Sequence, residues 1–539
     1  MRKTWFALIL AAMLLLPHCA LAEDDNALYP IRENGLWGYM NREGETVIEP
    51  QWKTALNFSG DTAIVSLNAL PLDGTWYRAG HYDGLIDRQG RYVIEPAPDQ
   101  DIEEYRYAYR VRVYVDAFND MEGVYDKASG FYQPPQAEYV HVMAWAGDGT
   151  GPIPVENSDG LTGYVDRATG ETVIPFRYTG DSDEAGFYQG YARPGDEIIV
   201  EDAVGHVLAM GIKMYLIDAQ GNEITFDSGI TPQSRVYDGC FIYSMSVPVE
   251  KVSDWGDEEE GNEEPYDGDL YLGNGEKIVP PYYLVNSVTG EKTEYPDYES
   301  SWGEEATVGW GIARIDGTIL SGPDTSLWYI WDPDAEGMIC ILSDDGSGSL
   351  CGHMDLTGRV IVEPKYRIDF GGAIPHYYFR NGYAVIDDLG ENWRETERYV
   401  IIDTEGNEVF SRSARADSFS LDRVPEVLES GLIWYKENGL YGLMRITKDG
   451  AEYVTEPRYE RHVGGVFDTE DLEDQIDFAE GLHPVRVDGL WGFIDETGAM
   501  MIQPAWDKAS SFRDGLALVE KDGKLAYIDH DGAAVWREE

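Results

Sequence analysis

Short runs of alternating hydrophobic and small or polar residues recur along the chain, and a glycine-containing turn follows each run. In LWGFID (490–495) the aromatic residues alternate with aliphatic residues and glycine, a period of two that is typical of a β-strand. Asp495 then begins a turn that Gly498 closes, because the Asp side chain can accept from nearby backbone N–H groups and glycine tolerates a positive φ. A second apolar pair ends at Pro504, since proline cannot donate to a strand ladder. The pattern predicts strand, tight turn, strand.

This pattern recurs eleven times. LWGYMNREGETVIEPQW (36–52) shares the skeleton of LWGFIDETGAMMIQPAW (490–506), and nine poorer copies lie between and after them. The turn glycines of the eleven copies are Gly44, Gly90, Gly130, Gly170, Gly221, Gly290, Gly358, Gly406, Gly450, Gly498 and Gly532. A further strand precedes the motif in complete units, as in GLALVE (515–520). Three short antiparallel strands are therefore predicted for each repeat.

We predict an all-β chain of tandem three-stranded antiparallel β-repeats. Since one such sheet is too small to bury its hydrophobic face alone, neighbouring repeats must stack, either as propeller-like blades, which the strand count favours, or as an open curved array. About five repeats occupy 23–226 and about six occupy 282–539. Between them, 227–281 breaks the pattern with an acidic insertion, which is typical of a solvated loop or linker.

The first residues have the layout of a secretory signal. Arg2 and Lys3 precede an apolar run, and small residues follow it, so 1–22 is predicted to be a signal peptide cleaved after Ala22. Cys19 offers a lipoprotein alternative, which His18 disfavours because a lipobox requires a small residue there. No later stretch approaches the ~20 apolar residues of a membrane span. The expected location is secreted or associated with the cell envelope.

The formal net charge of -58 disfavours negatively charged binding partners. A strongly acidic protein repels the phosphates of nucleic acids. The 43% hydrophobic and 12% aromatic residues are enough for a buried core, so the charge belongs to a folded surface. A protein or glycan partner outside the cytoplasm is therefore expected, without nucleic acid and without a membrane span.

GLWGYMN (35–41) and GLWGFID (489–495) resemble the bacterial WG repeat, also called KWG. The resemblance covers most of the chain after the leader, and it implies a β-repeat domain of bacterial proteins, often exported, without a common catalytic activity. The Trp position departs from the motif at Asp83, Glu122, Thr162, Cys351, Tyr441 and Leu525. A structural role in the repeat is expected for Trp37, Gly38, Gly44, Gly90, Gly170, Gly358, Gly406, Trp491, Gly492, Asp495, Gly498 and Pro504.

Aromatic residues outside the repeat skeleton are the candidates for ligand binding. Those within the repeats have strand spacing and are predicted to pack between sheets. Loops on a rigid scaffold are where binding function concentrates. The candidate ligand-binding residues are therefore Trp76, Tyr77, Tyr82, Trp328, Tyr329 and Trp331.

The cysteines and histidines give no metal-ligand spacing. Cys340 and Cys351 flank the turn-like DDGSGS segment and could form a disulfide across a hairpin in an oxidising compartment, whereas Cys240 fits a buried small hydrophobe. DPDAEG (332–337) begins like a calcium loop, but Ser343 stands where the bidentate Glu belongs. The sequence therefore predicts no metal site and no cofactor.

Motifs for nucleophilic, zinc-dependent or nucleotide-dependent catalysis are also missing from the sequence. The leading hypothesis is a non-catalytic repeat protein that presents loops to a protein or glycan. A propeller-type glycan hydrolase or lyase needs only two suitably placed carboxylates, and a structural spacer without a ligand is the third alternative.

Overall fold

A computed structural model describes residues 26–68, 81–115, 120–179, 185–201, 203, 207–226, 230–244, 249–251, 283–286, 292–294, 309–324, 326–327, 329–330, 333–344, 349–368, 377–390, 396–414, 419–421, 427–460 and 477–539. The expected signal peptide at 1–22, with Cys19, lies outside these residues, and so does most of the acidic insertion. The expected division of the repeats at 227–281 stays a prediction.

Most strands lie in small sheets that follow one another along the chain, whereas the strands of three sheets interleave between residues 191 and 324. The first nine are, in order, β1 (Tyr29–Glu33), β2 (Leu36–Met40) and β3 (Thr46–Trp52), then β4 (Thr54–Ala55), β5 (Thr62–Ser66), β6 (Asp83–Asp87) and β7 (Tyr92–Ile94), then β8 (Gln100–Glu104) and β9 (Ala108–Tyr114). They continue with β10 (Asp120–Asp126), β11 (Tyr132–Gln136), β12 (Tyr139–Val142), β13 (Ile153–Asn157), β14 (Thr162–Val165), β15 (Thr172–Tyr178), β16 (Tyr191–Ala192), β17 (Gly195–Glu201), β18 (Val207–Met214), β19 (Ile217–Asp218), β20 (Thr231–Pro232), β21 (Cys240–Ser244), β22 (Val249–Lys251), β23 (Tyr283–Asn286) and β24 (Lys292–Glu294).

The remaining strands are β25 (Trp310–Arg314), β26 (Ile319–Asp324), β27 (Tyr329–Ile330), β28 (Met338–Asp344), β29 (Ser349–Asp355), β30 (Val360–Arg367), β31 (Tyr383–Asp388), β32 (Arg398–Asp403), β33 (Glu408–Ser413), β34 (Ser420–Leu421), β35 (Leu432–Glu437), β36 (Leu440–Thr447), β37 (Gly450–Tyr453), β38 (Leu482–Val487), β39 (Leu490–Asp495), β40 (Met500–Trp506), β41 (Lys508–Ala509), β42 (Ala517–Lys521), β43 (Lys524–Ile528) and β44 (Ala534–Arg537). The pairings within the sheets are antiparallel, as between β38, β39 and β40. The all-β fold class with antiparallel repeats is confirmed.

Several sheets contain one strand more than the sequence predicts. The sheets β4 to β7, β27 to β30, β34 to β37 and β41 to β44 each have three longer strands and a first strand of only two residues. A two-residue strand shows no alternation of hydrophobic and polar positions, so its sequence gives no signal.

The described chain forms two compact units. Unit 1 contains the residues up to Pro98 and from Ser413 to Glu539, and unit 2 contains Asp99 to Arg412. Unit 1 thus combines the first and the last repeats of the chain, whereas unit 2 is one continuous segment. Within the described part of both units, no helix is long and apolar enough to cross a membrane.

The glycine of the Trp-Gly pair lies where two strands approach each other closely. A Cβ on Gly38 would be 2.3 Å from the Ile48 carbonyl oxygen and 2.6 Å from the Pro50 nitrogen, at an irregularity in the β2 and β3 pairing. Gly492 repeats the arrangement, with the Ile502 oxygen at 2.5 Å and the Pro504 nitrogen at 2.7 Å. Because proline has no N–H, this bulge leaves no donor unpaired there.

The turns that join the second and third strands share one set of hydrogen bonds. Asp495 Oδ1 accepts from the backbone N–H groups of Thr497 and Ala499, both at 2.9 Å, and Gly498 has φ +76. Gly44, Gly90, Gly170, Gly358 and Gly406 also have positive φ. The aspartate therefore satisfies two donors that the turn would otherwise leave without a protein partner.

Replacing this aspartate is expected to destabilise unit 1 moderately. Asp495→Ala removes the acceptor of two backbone N–H groups, at a cost of about 1 kcal/mol. Chemical denaturation of the variant beside Glu496→Ala measures the difference, since Glu496 occupies the same turn but its side chain is not the acceptor. Equal stability of the two variants would contradict the role assigned to Asp495.

Strands from opposite ends of the chain pack together in unit 1. Arg32 Nε lies 2.7 Å from Glu538 Oε1, and the hydroxyl groups of Tyr29 and Tyr527 donate to the carbonyl oxygens of Asp514 and Pro30 at 2.6 and 3.0 Å. These polar contacts lie beside a common hydrophobic core formed by buried residues of β1, β2, β42 and β43. The first sheet therefore depends on the last sheet for part of its core.

Candidate functional site

The loop residues predicted to bind a ligand fall mostly beyond the described part of the chain. Trp76, Tyr77, Trp328 and Trp331 are outside it. Tyr82 is half-buried, and its carbonyl accepts from the Leu67 N–H at 3.1 Å. Tyr329 lies in β27, paired with Leu342. A binding role for these residues stays a prediction.

The repeat aromatics lie inside the cores of unit 1. Trp37 and Tyr39 are buried in the core that the first sheet shares with the last, and Trp491 and Phe493 are buried in a second core beside β42 and β43. Their rings are covered by protein and so are not a surface for a ligand.

A charged cluster on β8, β9 and β10 of unit 2 has the arrangement of a site. Arg110 and Arg112 are two residues apart on β9, so both side chains project from one face. Glu103 on β8 is paired with Arg110, and Glu122 on β10 is paired with Arg112. These four residues and His141 of β12, five residues in all, form the group that we call the Glu122 cluster.

Glu122 is the centre of this cluster and is 1% exposed. Its Oε1 accepts from Arg112 Nε at 3.1 Å and lies 3.6 Å from Arg110 Nη1. Its Oε2 accepts from the Val142 N–H at 2.6 Å and lies 3.5 Å from His141 Nδ1. The buried carboxylate thus has partners on both oxygens, as a buried charge requires.

The second carboxylate is closer to solvent. Glu103 accepts from Arg110 through Nε at 3.1 Å and through Nη2, and from the Tyr105 hydroxyl at 2.7 Å. Its side chain is 29% exposed. The two arginines are therefore shared between a buried and a solvent-accessible carboxylate.

Aromatic rings border the Glu122 cluster. The Arg110 guanidinium lies 4.9 Å from the ring centre of Trp145 and 5.6 Å from that of Tyr105. These two rings are 5.3 Å apart, and the His141 ring is 5.1 Å from Trp145. Trp145, Tyr105 and His141 are all half-buried, so the border is in part open to solvent.

Both carboxyl groups of the cluster are held ionised. Burial raises the pKa of Glu122, but the His141 and Val142 hydrogen bonds and the Arg110 charge outweigh it and hold the pKa below its usual value. The pKa of Glu103 is lowered in the same way, with burial outweighed by hydrogen bonds from Tyr105 and Arg110. The hydrogen bond to Glu122 raises the pKa of His141 against the effect of burial. The two carboxylates are therefore fixed negative charges of the cluster.

This electrostatic arrangement differs from that of a glycoside hydrolase. A glycoside hydrolase needs one carboxylic acid with a raised pKa as the proton donor beside a second carboxylate. Here the pKa values of both carboxyl groups shift down. The Glu122 cluster can hold polar ligand groups by charged hydrogen bonds, but its carboxylates are poor general acids.

No motif in the sequence predicts that these residues form a site. In the sequence, Glu122 stands out only because it occupies the Trp position of the repeat. The available signal was the combination of an acid in that position with Arg110 and Arg112 at alternate places of AYRVRVY (108–114), which places opposite charges on one strand face.

The remaining cysteine and calcium candidates lie in unit 2. Cys340 and Cys351 are buried free thiols with their Sγ atoms 3.0 Å apart, so the disulfide stays a prediction, and Cys240 is buried. In the calcium-like segment, the Asp334 oxygens accept from the backbone N–H groups of Glu336, Met338 and Phe379 at 2.9, 2.9 and 2.6 Å. Asp334 therefore fixes the backbone of this region.

Comparison with solved structures gives only weak similarities. BamB from Moraxella catarrhalis is 11% identical over 81% of this chain and 92% of its own, with a TM-score of 0.24. A eukaryotic initiation factor is 11% identical over 86% and 95%, with a TM-score of 0.30, and the computationally designed Ika8 protein is 11% identical over 79% and 94%, with a TM-score of 0.23. Scores this low support no inference about function.

A search of curated proteins finds no match. The family model described as WG containing repeat matches residues 37–70 and 491–524. Both stretches begin at the tryptophan of a Trp-Gly pair whose glycine lies at a close backbone contact. The chain is a WG repeat-containing protein.

Proposed function

We propose that this protein is a non-catalytic binding protein that acts outside the cytoplasm and uses the Glu122 cluster to recognise a glycan. The observation that carries the proposal is the association of fixed charges with half-buried aromatic rings in unit 2. The signal-like leader supports an extracytoplasmic location.

The chemistry of the cluster suits a polar ligand with a flat apolar face. Sugar rings present C–H faces that stack on aromatic side chains, and their hydroxyl groups both donate and accept hydrogen bonds. Glu103 supplies a partly exposed acceptor, and Arg112, whose side chain is 15% exposed, supplies donors. Trp145 and Tyr105 supply the aromatic border.

The two arginines of the cluster face at least as many carboxylates, since Asp120 Oδ2 also lies 3.3 Å from Arg112 Nε, and this favours a neutral glycan over a strongly anionic one. Arg110 and Arg112 are already paired with Glu103 and Glu122. A phosphate or sulfate would have to compete with these carboxylates in a chain whose net charge is -58.

Binding of the chain from residue 23 to residue 539 to a panel of neutral and acidic glycans tests this proposal, with product analysis of the same mixtures. We expect saturable binding of a neutral glycan without new products, and at least about tenfold weaker binding by Trp145→Ala, since an aromatic anchor is worth 1 to 2 kcal/mol or more. Trp506→Ala is the matched control, because Trp506 is also half-buried but lies in unit 1.

Three outcomes would contradict the proposal. New reducing ends would establish a glycan hydrolase or lyase. Equal binding of a glycan by the Trp145→Ala and Trp506→Ala variants would show that the glycan binds away from the Glu122 cluster. No binding to any glycan would leave a protein partner or a spacer role.

A further inference from the structure

Three potential metal ligands meet on one buried face of β28 and β29. Cys340 is directly opposite His353 in the strand register, and Cys351 lies two residues before His353 on the same strand and thus on the same face. The two Sγ atoms and a ring nitrogen of His353 all lie within 4.8 Å of one another. The three residues are 1%, 0% and 1% exposed.

The hydrogen bonding of His353 leaves a nitrogen suited to a cation. His353 Nε2 lies 2.8 Å from the Tyr377 carbonyl oxygen, and because a carbonyl can only accept, Nε2 carries the proton. Nδ1 then has a lone pair, and it is buried without a hydrogen-bond partner among the residues that the structure describes. A ring nitrogen bonded to a backbone carbonyl, with the other nitrogen free to ligate, is the usual arrangement of a metal-binding histidine.

The burial of this nitrogen has an energetic cost. An imidazole nitrogen that is buried without a partner destabilises the fold. A cation at this position would remove that cost.

We propose that Cys340, Cys351 and His353 form a binding site for a thiophilic divalent metal ion of the zinc type. Two thiolates neutralise the charge of the ion inside the core, and the imidazole completes a set of three protein ligands, the number found in open zinc sites. The Sγ atoms, now 3.0 Å apart, would separate to about 3.8 Å around an ion with Zn–S bonds of about 2.3 Å.

A bound metal ion would give a partner to all three side chains, whereas a disulfide would involve only the two cysteines. Joining the two sulfur atoms would leave Nδ1 of His353 still without a partner in the core. Because a zinc ion is bound by thiolates, each zinc ion bound displaces two thiol protons, and binding strengthens as pH rises.

The test is anaerobic titration of the reduced, chelator-treated full chain with Co²⁺, followed by competition with Zn²⁺. We expect one Co²⁺ per chain with a thiolate-to-cobalt charge-transfer band that Zn²⁺ abolishes. Cys351→Ser and His353→Ala should bind Co²⁺ more than about tenfold more weakly. Cys240→Ser, which alters a cysteine outside the set, is the control and should bind as the native chain does.

Metal content and thiol counts of the unaltered protein make the result independent of how well the variants fold. A charge-transfer band with zinc-dependent protection of two thiols from alkylation would support the proposal. A reduced chain that shows no band, or a band that His353→Ala leaves unchanged in intensity and affinity, would overturn it. A Cys340–Cys351 disulfide in the purified protein that, once reduced, leaves a chain without Co²⁺ affinity would also overturn it.

Discussion

Gly38→Ala is expected to lower the free energy of unfolding by about 3 to 5 kcal/mol, because the added methyl group has no room. Its Cβ would meet the Ile48 oxygen at 2.3 Å and the Pro50 nitrogen at 2.6 Å. Both are backbone atoms of β3, so no side chain can rotate away. Relief requires β2 and β3 to separate at their bulge, and this would disturb the core around Tyr39, which is 0% exposed.

Gly35→Ala is the matched control for this experiment. Gly35 has φ +74, and no atom of the described residues lies within 4 Å of its Cβ position, so alanine there is expected to cost only the strain of the left-handed conformation, about 1 kcal/mol. Denaturant unfolding of both variants separates steric conflict from backbone strain. If Gly38→Ala were no more destabilising than Gly35→Ala, the close approach of β2 and β3 would not be the reason for the glycine of the Trp-Gly pair.

Glu122→Gln is expected to destabilise unit 2 by about 3 kcal/mol. The amide keeps the shape of the side chain but removes the charge that Arg110, Arg112 and His141 face, and breaking a buried ion pair from one side costs about 3 to 5 kcal/mol. Glu104→Gln is the control, since Glu104 is exposed and pairs with Lys127 at 2.7 Å. We expect it to change stability by less than about 0.5 kcal/mol.

The pH dependence of the stability difference between the native and Glu122→Gln proteins gives a second measurement. The pKa of Glu122 is lowered below 4.5, so its stabilising effect is present above the unfolded value and is lost as pH falls. The pKa of His141 is raised above 6.5, so its effect is present below 6.5 and is lost as pH rises through the folded value. The stability gap between native and Glu122→Gln proteins should be largest between these two values. A gap that grows steadily towards pH 9 would contradict the pairing.

The repeat architecture could be predicted because its signals are local. The alternation around Trp491, the Asp495 to Gly498 turn and the terminating Pro504 act within a few residues of one another, and each has a physical cause in the backbone. The structural role of Gly38 could not be predicted in this way, because its close contact with Ile48 follows only from the register of β2 and β3.

The site residues were harder to predict because they depend on pairing between strands. Glu122 lies ten residues from Arg112 in the sequence, and opposite it in the sheet. The spacing of residues along the sequence does not indicate His353 as a ligand, because Cys340 lies beside it only through the pairing of β28 with β29. Spacing along the chain identifies ligands on one strand or helix, and a site assembled by antiparallel pairing escapes it.

The packing of the first sheet on the last has a consequence for biosynthesis. Tyr29 and its partner Asp514 are 485 residues apart, so during translation the first sheet cannot complete its core until the strands around Asp514 have been made. Unit 2, being continuous, has no such delay. A nascent chain would therefore display the apolar faces of β1 and β2 until those later strands are made, and contacts of such long sequence separation form slowly. Unit 1 can therefore complete its fold only after unit 2 has been synthesised.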